Sequence, residues 1–187
     1  MSRFARGAGA ATLLAATGAG TYFGLVTGRL TIDLGVGRRT RVLGPLVVDL
    51  AAPREVVYAV AAAPYAERRP RALAEKVEIL ERSDHMVLAA HRTPIGGRLT
   101  AVTVETVTLD PPDRIRFRLV RGPVPHVAET FAFEPIPGGT RLTYTGELGT
   151  DLGRVGALWG DLVARSWEGA VRDSLAAIKA EAERRSR

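Results

Sequence analysis

Three histidines and three glutamates are the side chains of this sequence best suited to acid–base chemistry. They are His85, His91, His126, Glu105, Glu129 and Glu147. An imidazole, or a carboxyl with a raised pKa, can transfer a proton near neutral pH. We take His91, His126 and Glu129 as the candidates for catalysis. Each also has a simpler interpretation as a hydrogen-bonded side chain of a strand.

Glu129 has two competing interpretations. It shares its position in the alternating pattern with Phe131 and Phe133, so it is expected to face apolar neighbours, where burial would raise its pKa. The alternative is a buried carboxylate paired with Arg121 or Arg141. We prefer that pairing to a catalytic role.

Several kinds of chemistry are disfavoured by what the sequence lacks. Without cysteine there are no disulfides, thiolate metal sites or cysteine nucleophiles. The histidines show neither HxxxH nor HExxH spacing, so we predict no metal and no cofactor. No GxSxG, Walker or GxGxxG motif follows a strand pattern, which disfavours serine catalysis and nucleotide binding.

The positive charge is concentrated at one end of the chain. Of the net charge of +6, residues 1–41 carry +5 and the other 146 residues carry +1. A nucleic-acid-binding domain would spread its excess over a folded face, so we predict no nucleic-acid partner. Basic residues beside an apolar segment are typical of membrane proteins instead.

That apolar segment runs from Gly7 to Gly28 and contains no charged residue. As a helix its 22 residues would span about 33 Å, enough to cross a bilayer. We prefer an uncleaved membrane anchor; a cleaved signal peptide and a buried or flexible N-terminus are the alternatives. Gly20, Gly24 and Gly28 have the spacing that allows close contact with a second membrane helix, although glycine is frequent throughout this chain.

Arginines flank this segment on both sides. The larger number of arginines after the segment than before it predicts a single-pass protein with its soluble domain in the cytoplasm. We therefore divide the chain into an anchor (1–28), a basic juxtamembrane segment (29–43) and a soluble domain (44–187). The expected lipid-headgroup contacts of the juxtamembrane segment are Arg38, Arg39 and Arg41. The alternation in residues 30–36 predicts an edge strand or an extended segment on the membrane surface.

The remaining residues predict an α+β domain. A strand at Leu46–Leu50 is followed by a helix after Pro53, short pieces broken by Pro64 and Pro70, and then six strands with hairpin-length connections, which indicates an antiparallel sheet. The six strands are predicted at residues 76–82, 85–92, 98–109, 114–121, 125–134 and 140–148. The last element is a helix over residues 153–184.

One apolar stripe is predicted along this helix. Its members are Val155, Leu158, Trp159, Leu162, Val163, Trp167, Ala170, Val171, Leu175 and Ile178. A helix of about 45 Å with one broad apolar face needs a large concave partner, which a bent antiparallel sheet would supply.

Four stretches carry a resemblance to a known superfamily. They are Val48-Asp-Leu-Ala-Ala-Pro-Arg-Glu-Val-Val57, Thr106-Val-Thr-Leu-Asp-Pro-Pro-Asp-Arg-Ile115, Pro137-Gly-Gly-Thr-Arg-Leu-Thr-Tyr144 and Leu175-Ala-Ala-Ile-Lys-Ala-Glu-Ala-Glu183. Over residues 44–185 the chain resembles the START/Bet v 1-like (SRPBCC) superfamily, in particular its bacterial polyketide cyclase/dehydrase and lipid-transport branch. The resemblance implies a helix-grip fold, in which a curved antiparallel sheet of six or seven strands wraps around the long C-terminal helix and encloses a cavity.

The resemblance also implies which residues would meet a ligand. The expected lining is Trp159, Trp167, Leu162, Val163, Phe117, Phe131, Phe133 and Tyr144, with plain core packing as the alternative for the two tryptophans. Many relatives carry a tryptophan near the mouth of the cavity, where this chain has Tyr65-Ala-Glu-Arg-Arg69. Arg68, Arg69 and Arg71 would contact a lipid phosphate there, or form a solvated loop.

Three functions remain open on the sequence. The first is a membrane-anchored carrier or sensor of a hydrophobic small molecule such as a lipid, isoprenoid or polyketide-like compound, and we prefer it to an enzyme. The second is a cyclase- or hydrolase-like enzyme of the same fold. The third is an accessory subunit of a larger membrane complex. Polar groups converging in the cavity would favour the enzyme, and an apolar lining would favour the carrier.

Overall fold

Seven antiparallel strands and one long helix dominate the structure, a computed structural model that describes residues 20–95 and 99–187. The strands are β1 (Arg39–Leu50), β2 (Val77–Arg82), β3 (Met86–Ile95), β4 (Leu99–Asp110), β5 (Arg114–Arg121), β6 (His126–Ile136) and β7 (Gly139–Thr150). The helices are α1 (Arg54–Ala62), α2 (Arg71–Lys76) and α3 (Gly153–Arg185), with a 3-10 turn at Ala63–Tyr65. This order confirms the predicted α+β helix-grip fold.

Strands β2 to β7 form a meander in chain order, and β1 lies beside β7 at the edge of the sheet. Its order is β1-β7-β6-β5-β4-β3-β2, and all six pairings are antiparallel. Helix α3 packs on β1, β7 and α1 rather than on β2–β5. The other half of the concave face is therefore left uncovered by α3.

Strand β5 shows why the strand predictions were confirmed. Ile115 is buried, whereas Arg114, Arg116 and Arg118 are exposed, as expected from their alternation. The alternation separates a buried side of β5 from an exposed side because successive side chains of a strand point to opposite faces.

The N-terminal edge of the sheet differs from the prediction. Strand β1 begins at Arg39, seven residues before the predicted start, and its pairing with β7 shifts between Leu43 and Leu46. At this irregularity Gly44 has a φ of +75°, a conformation that favours glycine. Of the two alternatives for residues 30–36, the edge strand is wrong, because the N–H groups of Leu34 and Gly35 donate to the Asp151 carboxylate instead of to a neighbouring strand.

The predicted apolar stripe of α3 is only partly buried. Val155 and Leu158 are 72% and 73% exposed and Leu162 is 51% exposed. The first turns of α3 approach β7 through Gly156 and Gly160, where a Cβ atom would lie 1.6 Å from the Asp151 carbonyl oxygen and 3.1 Å from the Thr150 side chain. These small residues bring the helix onto the strand, so the large residues beside them face outward.

Residues 20–28 contact the folded domain. Residues 20–26 are helical, Val26 and Thr27 are buried, and the Thr27 carbonyl accepts a hydrogen bond of 3.1 Å from the Val102 N–H. Gly28 has a φ of +70° and lies directly against the Val102 backbone. Gly28 is therefore beyond the end of the helix, so the predicted contact of a Gly20-Gly24-Gly28 line with a membrane helix is wrong at this position.

Among residues 20–95 and 99–187, no helix has both the length and the apolar character needed to cross a membrane. The larger part of the predicted anchor, residues 7–19, lies outside the described residues.

Candidate functional site

A cavity of about 790 Å³ lies between α3 and the uncovered half of the concave face. This volume is within the range of pockets that hold small molecules. Strands β3–β6, the segment from α1 to α2, helix α3 and residues 22–26 all contribute to its lining. Of the expected ligand contacts, the structure places six on the cavity: Trp159, Trp167, Leu162, Val163, Phe117 and Phe131.

The two other expected contacts lie in the core beside the cavity. Phe133 packs edge-on against Tyr58, with ring centroids 5.3 Å apart, beneath α1. Tyr144 lies behind Phe131 and is fully buried. Tyr144 still contacts the cavity lining indirectly, because its hydroxyl donates a hydrogen bond to a carboxylate that lines the cavity.

That carboxylate is Glu129 on β6, which is 7% exposed. Its Oε1 accepts hydrogen bonds from the Tyr144 hydroxyl at 2.6 Å and from Nε1 of Trp167 at 2.7 Å. Neither of the two arginines considered as its partner, Arg121 and Arg141, forms an ion pair with Glu129, and Arg141 pairs with Asp49 on the other face of the sheet. Glu129 therefore lies in the cavity with two neutral donors and no counter-charge from Arg141.

Glu105 on β4 is a second buried carboxyl of the cavity lining. Its residue type is suited to acid–base chemistry, but Glu105 is not among the candidates for catalysis that the sequence predicts. Its place in the alternating pattern could have indicated that it is buried, because Ala101, Thr103 and Val107 on the same side of β4 are all buried. Two carboxyls on the concave face thus lie on strands separated only by β5.

His91 on β3 lies between Tyr65 and Glu105. Its Nε2 and the Tyr65 hydroxyl share a hydrogen bond of 3.0 Å. Its Nδ1 lies 3.3 Å from Oε2 of Glu105. Nδ1 is buried and finds no partner of hydrogen-bonding geometry in the described part of the chain, and the Glu105 carboxyl is the acidic group beside it.

The environment shifts the pKa values of all these groups. Burial raises the pKa of the Glu105 carboxyl to about 7, although the Thr103 hydroxyl opposes the shift. Burial and then the charge of Glu105 raise the pKa of Glu129 to about 7, and the hydrogen bonds from Tyr144 and Trp167 act in the opposite direction.

The same burial disfavours charge on the neighbouring groups. It lowers the pKa of His91 to about 4, so its imidazole is neutral at pH 7. Burial, followed by the charges of Glu105 and Glu129, raises the pKa of Tyr65 well above its usual range. Carboxyls that titrate near 7 beside a neutral imidazole can donate and accept protons under physiological conditions.

The other histidines are not part of this cluster. His126 bonds Glu147 at 2.8 Å and does not line the cavity, and His85 is exposed. The prediction that His126 could serve the cavity is therefore wrong: its position on β6 is three residues from Glu129, which places it on the opposite face of the strand.

The arginines expected at lipid headgroups have various surroundings. Arg38 bonds Asp151 at 2.7 Å and Asp33 at 2.5 Å, and Arg41 bonds Asp161 at 2.6 Å. Arg39 and Arg68 are exposed. Arg69 donates to the carbonyl oxygens of Ala66 and Val77, and Arg71 pairs with Glu75 at 2.8 Å. None of these arginines lines the cavity, so a contact with lipid stays a prediction.

No group of three or more histidine, aspartate and glutamate side chains with the geometry of a metal site occurs in the described ranges. The side chains of the lining that can transfer a proton include two carboxyls, an imidazole and the phenols of Tyr22 and Tyr65.

Solved structures with this fold include enzymes. The Zhui aromatase/cyclase from Streptomyces sp. R1128 is 22% identical with a TM-score of 0.63, over 80% of this chain and 96% of that chain. Norcoclaurine synthase from Thalictrum flavum, in complex with dopamine and hydroxybenzaldehyde, is 15% identical with a TM-score of 0.58, over 77% of this chain and 87% of that one. At these identities the similarity establishes the fold.

A comparison with curated proteins found no match. A comparison with protein families matched residues 46–183, well over half of the chain, to the family described as polyketide cyclase / dehydrase and lipid transport. This match shows that the chain belongs to the polyketide cyclase/dehydrase and lipid transport family.

Proposed function

We propose that the protein is an enzyme that binds a hydrophobic small molecule in this cavity and transfers protons during its cyclisation or dehydration. The observation that carries the proposal is the convergence of Glu105, Glu129 and His91 in a mostly apolar cavity. Burying two carboxyls costs stability, and a carrier of apolar molecules gains nothing from them. This reverses our preference for a carrier.

The lining suggests how a substrate would be held. Its apolar body would pack against Phe117, Phe131 and Trp159, and a polar group would reach the carboxyls of Glu105 and Glu129 and the imidazole of His91. A protonated carboxyl would donate to a carbonyl or a leaving hydroxyl oxygen. The neutral imidazole, or the other carboxyl once ionised, would accept a proton from carbon.

The aromatase/cyclase among the similar structures supports the cyclisation class. A carrier remains the second candidate, because the family description also includes lipid transport and most of the lining is apolar. The two functions share ligand binding and differ in whether a proton is exchanged.

Solvent deuterium exchange distinguishes them. Compounds that co-purify with the protein would be identified by mass spectrometry and returned to it in heavy water. The enzyme should introduce deuterium at carbon or convert the compound. Glu105→Gln and Glu129→Gln should abolish this while retaining binding. Glu147→Gln, outside the cavity, is the matched control. Binding without any exchange or conversion would leave the carrier as the function.

Attachment to a membrane through residues 7–28, with the folded domain in the cytoplasm, belongs to this proposal as well. Its support is the uncharged stretch with arginines on both sides. A membrane-protein partner at Gly20 and Gly24 would extend it, although Gly24 already lies close to Leu30 of this chain.

A further inference from the structure

The exposed apolar side chains of this protein are concentrated in one region. In the described ranges fourteen large hydrophobic residues are exposed, and nine of them lie in residues 22–36 and 152–162. The nine are Tyr22, Phe23, Leu30, Leu34, Val36, Leu152, Val155, Leu158 and Leu162. We name this set the α3 face. An apolar surface of this extent on a soluble domain marks an interaction site.

Direct contacts join the two segments of the α3 face. The Leu152 N–H donates to the Val36 carbonyl at 2.9 Å, and the Leu34 N–H donates to Asp151 at 2.6 Å. At the other end, the ring of Tyr22 packs edge-on against Trp159, with centroids 6.2 Å apart. The α3 face is thus one surface around the first half of α3.

We propose that the α3 face docks on the surface of an anionic lipid bilayer, with the cavity opening toward the lipid. This inference goes beyond the proposed function, because docking needs neither a ligand nor a reaction.

The charge around the α3 face favours anionic lipid. Arg38 pairs with both Asp33 and Asp151, and Arg41 pairs with Asp161, so these five groups together carry one negative charge. Arg39, Arg154 and Arg165 have no acidic partner in the part of the chain that the structure describes. A basic border around an apolar surface is attracted to anionic headgroups.

The chain that precedes the α3 face favours a bilayer over a protein partner. Residues 7–19 are uncharged and join the structure at Gly20, two residues before Tyr22. Because Val26 and Thr27 are buried in the domain, the apolar stretch free to enter lipid is shorter than the predicted anchor. An uncharged apolar stretch of chain that adjoins an exposed apolar face favours contact with lipid.

The cavity reaches this surface. Tyr22 and Leu162 belong to the α3 face and also line the cavity. Trp159 lines the cavity as well, and its ring contacts that of Tyr22. Docking would therefore place the opening of the cavity where hydrophobic small molecules are dissolved.

The absence of cysteine makes the proposal directly testable. Leu158→Cys, at an exposed position of the α3 face, would carry an environment-sensitive dye in the full-length protein. Val47→Cys, exposed on β1, is the matched control outside the face. The protein would be reconstituted with vesicles of phosphatidylcholine and phosphatidylglycerol. We expect blue-shifted, brighter emission at position 158 and emission as in water at position 47. Pure phosphatidylcholine should reduce the shift, and an added Val155→Asp should abolish it.

Other outcomes would overturn the proposal. If the protein floats with vesicles but the dye at position 158 stays as in water, attachment occurs through the N-terminal segment alone. If that dye is already blue-shifted without vesicles, the N-terminal residues or a second copy cover the α3 face, and sedimentation tells which. Equal shifts at positions 158 and 47 would show non-specific adsorption. Circular dichroism of each variant checks that it is folded.

Discussion

Glu105→Gln should stabilise the protein at alkaline pH and change little at acidic pH. The Glu105 carboxyl is buried, and this burial raises its pKa from 4.5 to about 7. The folded state therefore holds a proton that the unfolded state has released in this interval, so stability falls as the pH rises from about 4.5 to about 7. Glutamine has the shape of the protonated carboxyl and does not ionise, so it should not suffer this loss.

The size of the effect follows from the same pKa values. The difference between 4.5 and about 7 corresponds to about 3 kcal/mol of unfolding free energy once the carboxyl is fully ionised in both states. Glu129 interacts with Glu105 and adds to the pH dependence of both proteins. The value of about 3 kcal/mol is thus an upper expectation for one substitution.

Urea unfolding at about pH 4 and about pH 8 measures the effect. The two proteins should be equally stable at the lower pH, and the variant should be the more stable by up to about 3 kcal/mol at the higher pH. Carboxyls with lowered pKa values, such as Asp151 beside Arg38, lose their stabilising contribution as the pH falls toward about 2 and do so equally in both proteins. Glu147→Gln on the surface is the control. Parallel pH profiles for the wild type and Glu105→Gln would refute a buried proton on Glu105 and remove the basis of the proposed acid–base role.

Three further predictions concern the helix, the ligand and the N-terminus. Val163→Asp should cost several kcal/mol of unfolding free energy because it buries an unpaired charge, whereas Leu158→Asp should cost less than about 1 kcal/mol; equal denaturant midpoints would contradict the position of α3. An apolar ligand should change the tryptophan fluorescence, and Trp167→Ala should weaken its binding by about 1–3 kcal/mol in titration calorimetry, whereas His126→Gln should leave the affinity unchanged. Full-length protein should remain with membranes after a carbonate wash if residues 7–28 anchor it, and release by the wash would show that they do not.

Local patterns in the sequence were enough for the elements of the fold. Alternation in β5 separates Ile115 from the arginines on either side, and such a pattern needs only the pleat of a strand and one buried face. The turn residues between the strands set hairpin connections, and the periodicity of residues 153–184 indicated α3 within one residue. These are properties of neighbours in the chain, so they can be read without knowing what packs where.

The face on which α3 packs was decided by tertiary contacts. Its large residues and its small residues both form stripes, and the sequence alone favoured Val155, Leu158 and Leu162 for the core. The close approach of Gly156 and Gly160 to β7 reversed this, because a helix can lie nearer to a strand where no side chain intervenes.

The candidate site combines both kinds of information. The type and parity of Glu129 were visible in the sequence, but Tyr65, His91 and Glu105 come from different elements, and their distances depend on how the sheet curves and where the 3-10 turn lies. Their pKa values depend on the surrounding apolar volume, which no local pattern encodes. The sequence by itself thus determined the order of the strands and helices and which side chains could transfer a proton, because these depend on chain neighbours. Only the tertiary structure decided which of them share a dry cavity, because desolvation and hydrogen bonding act between residues that are distant in the chain.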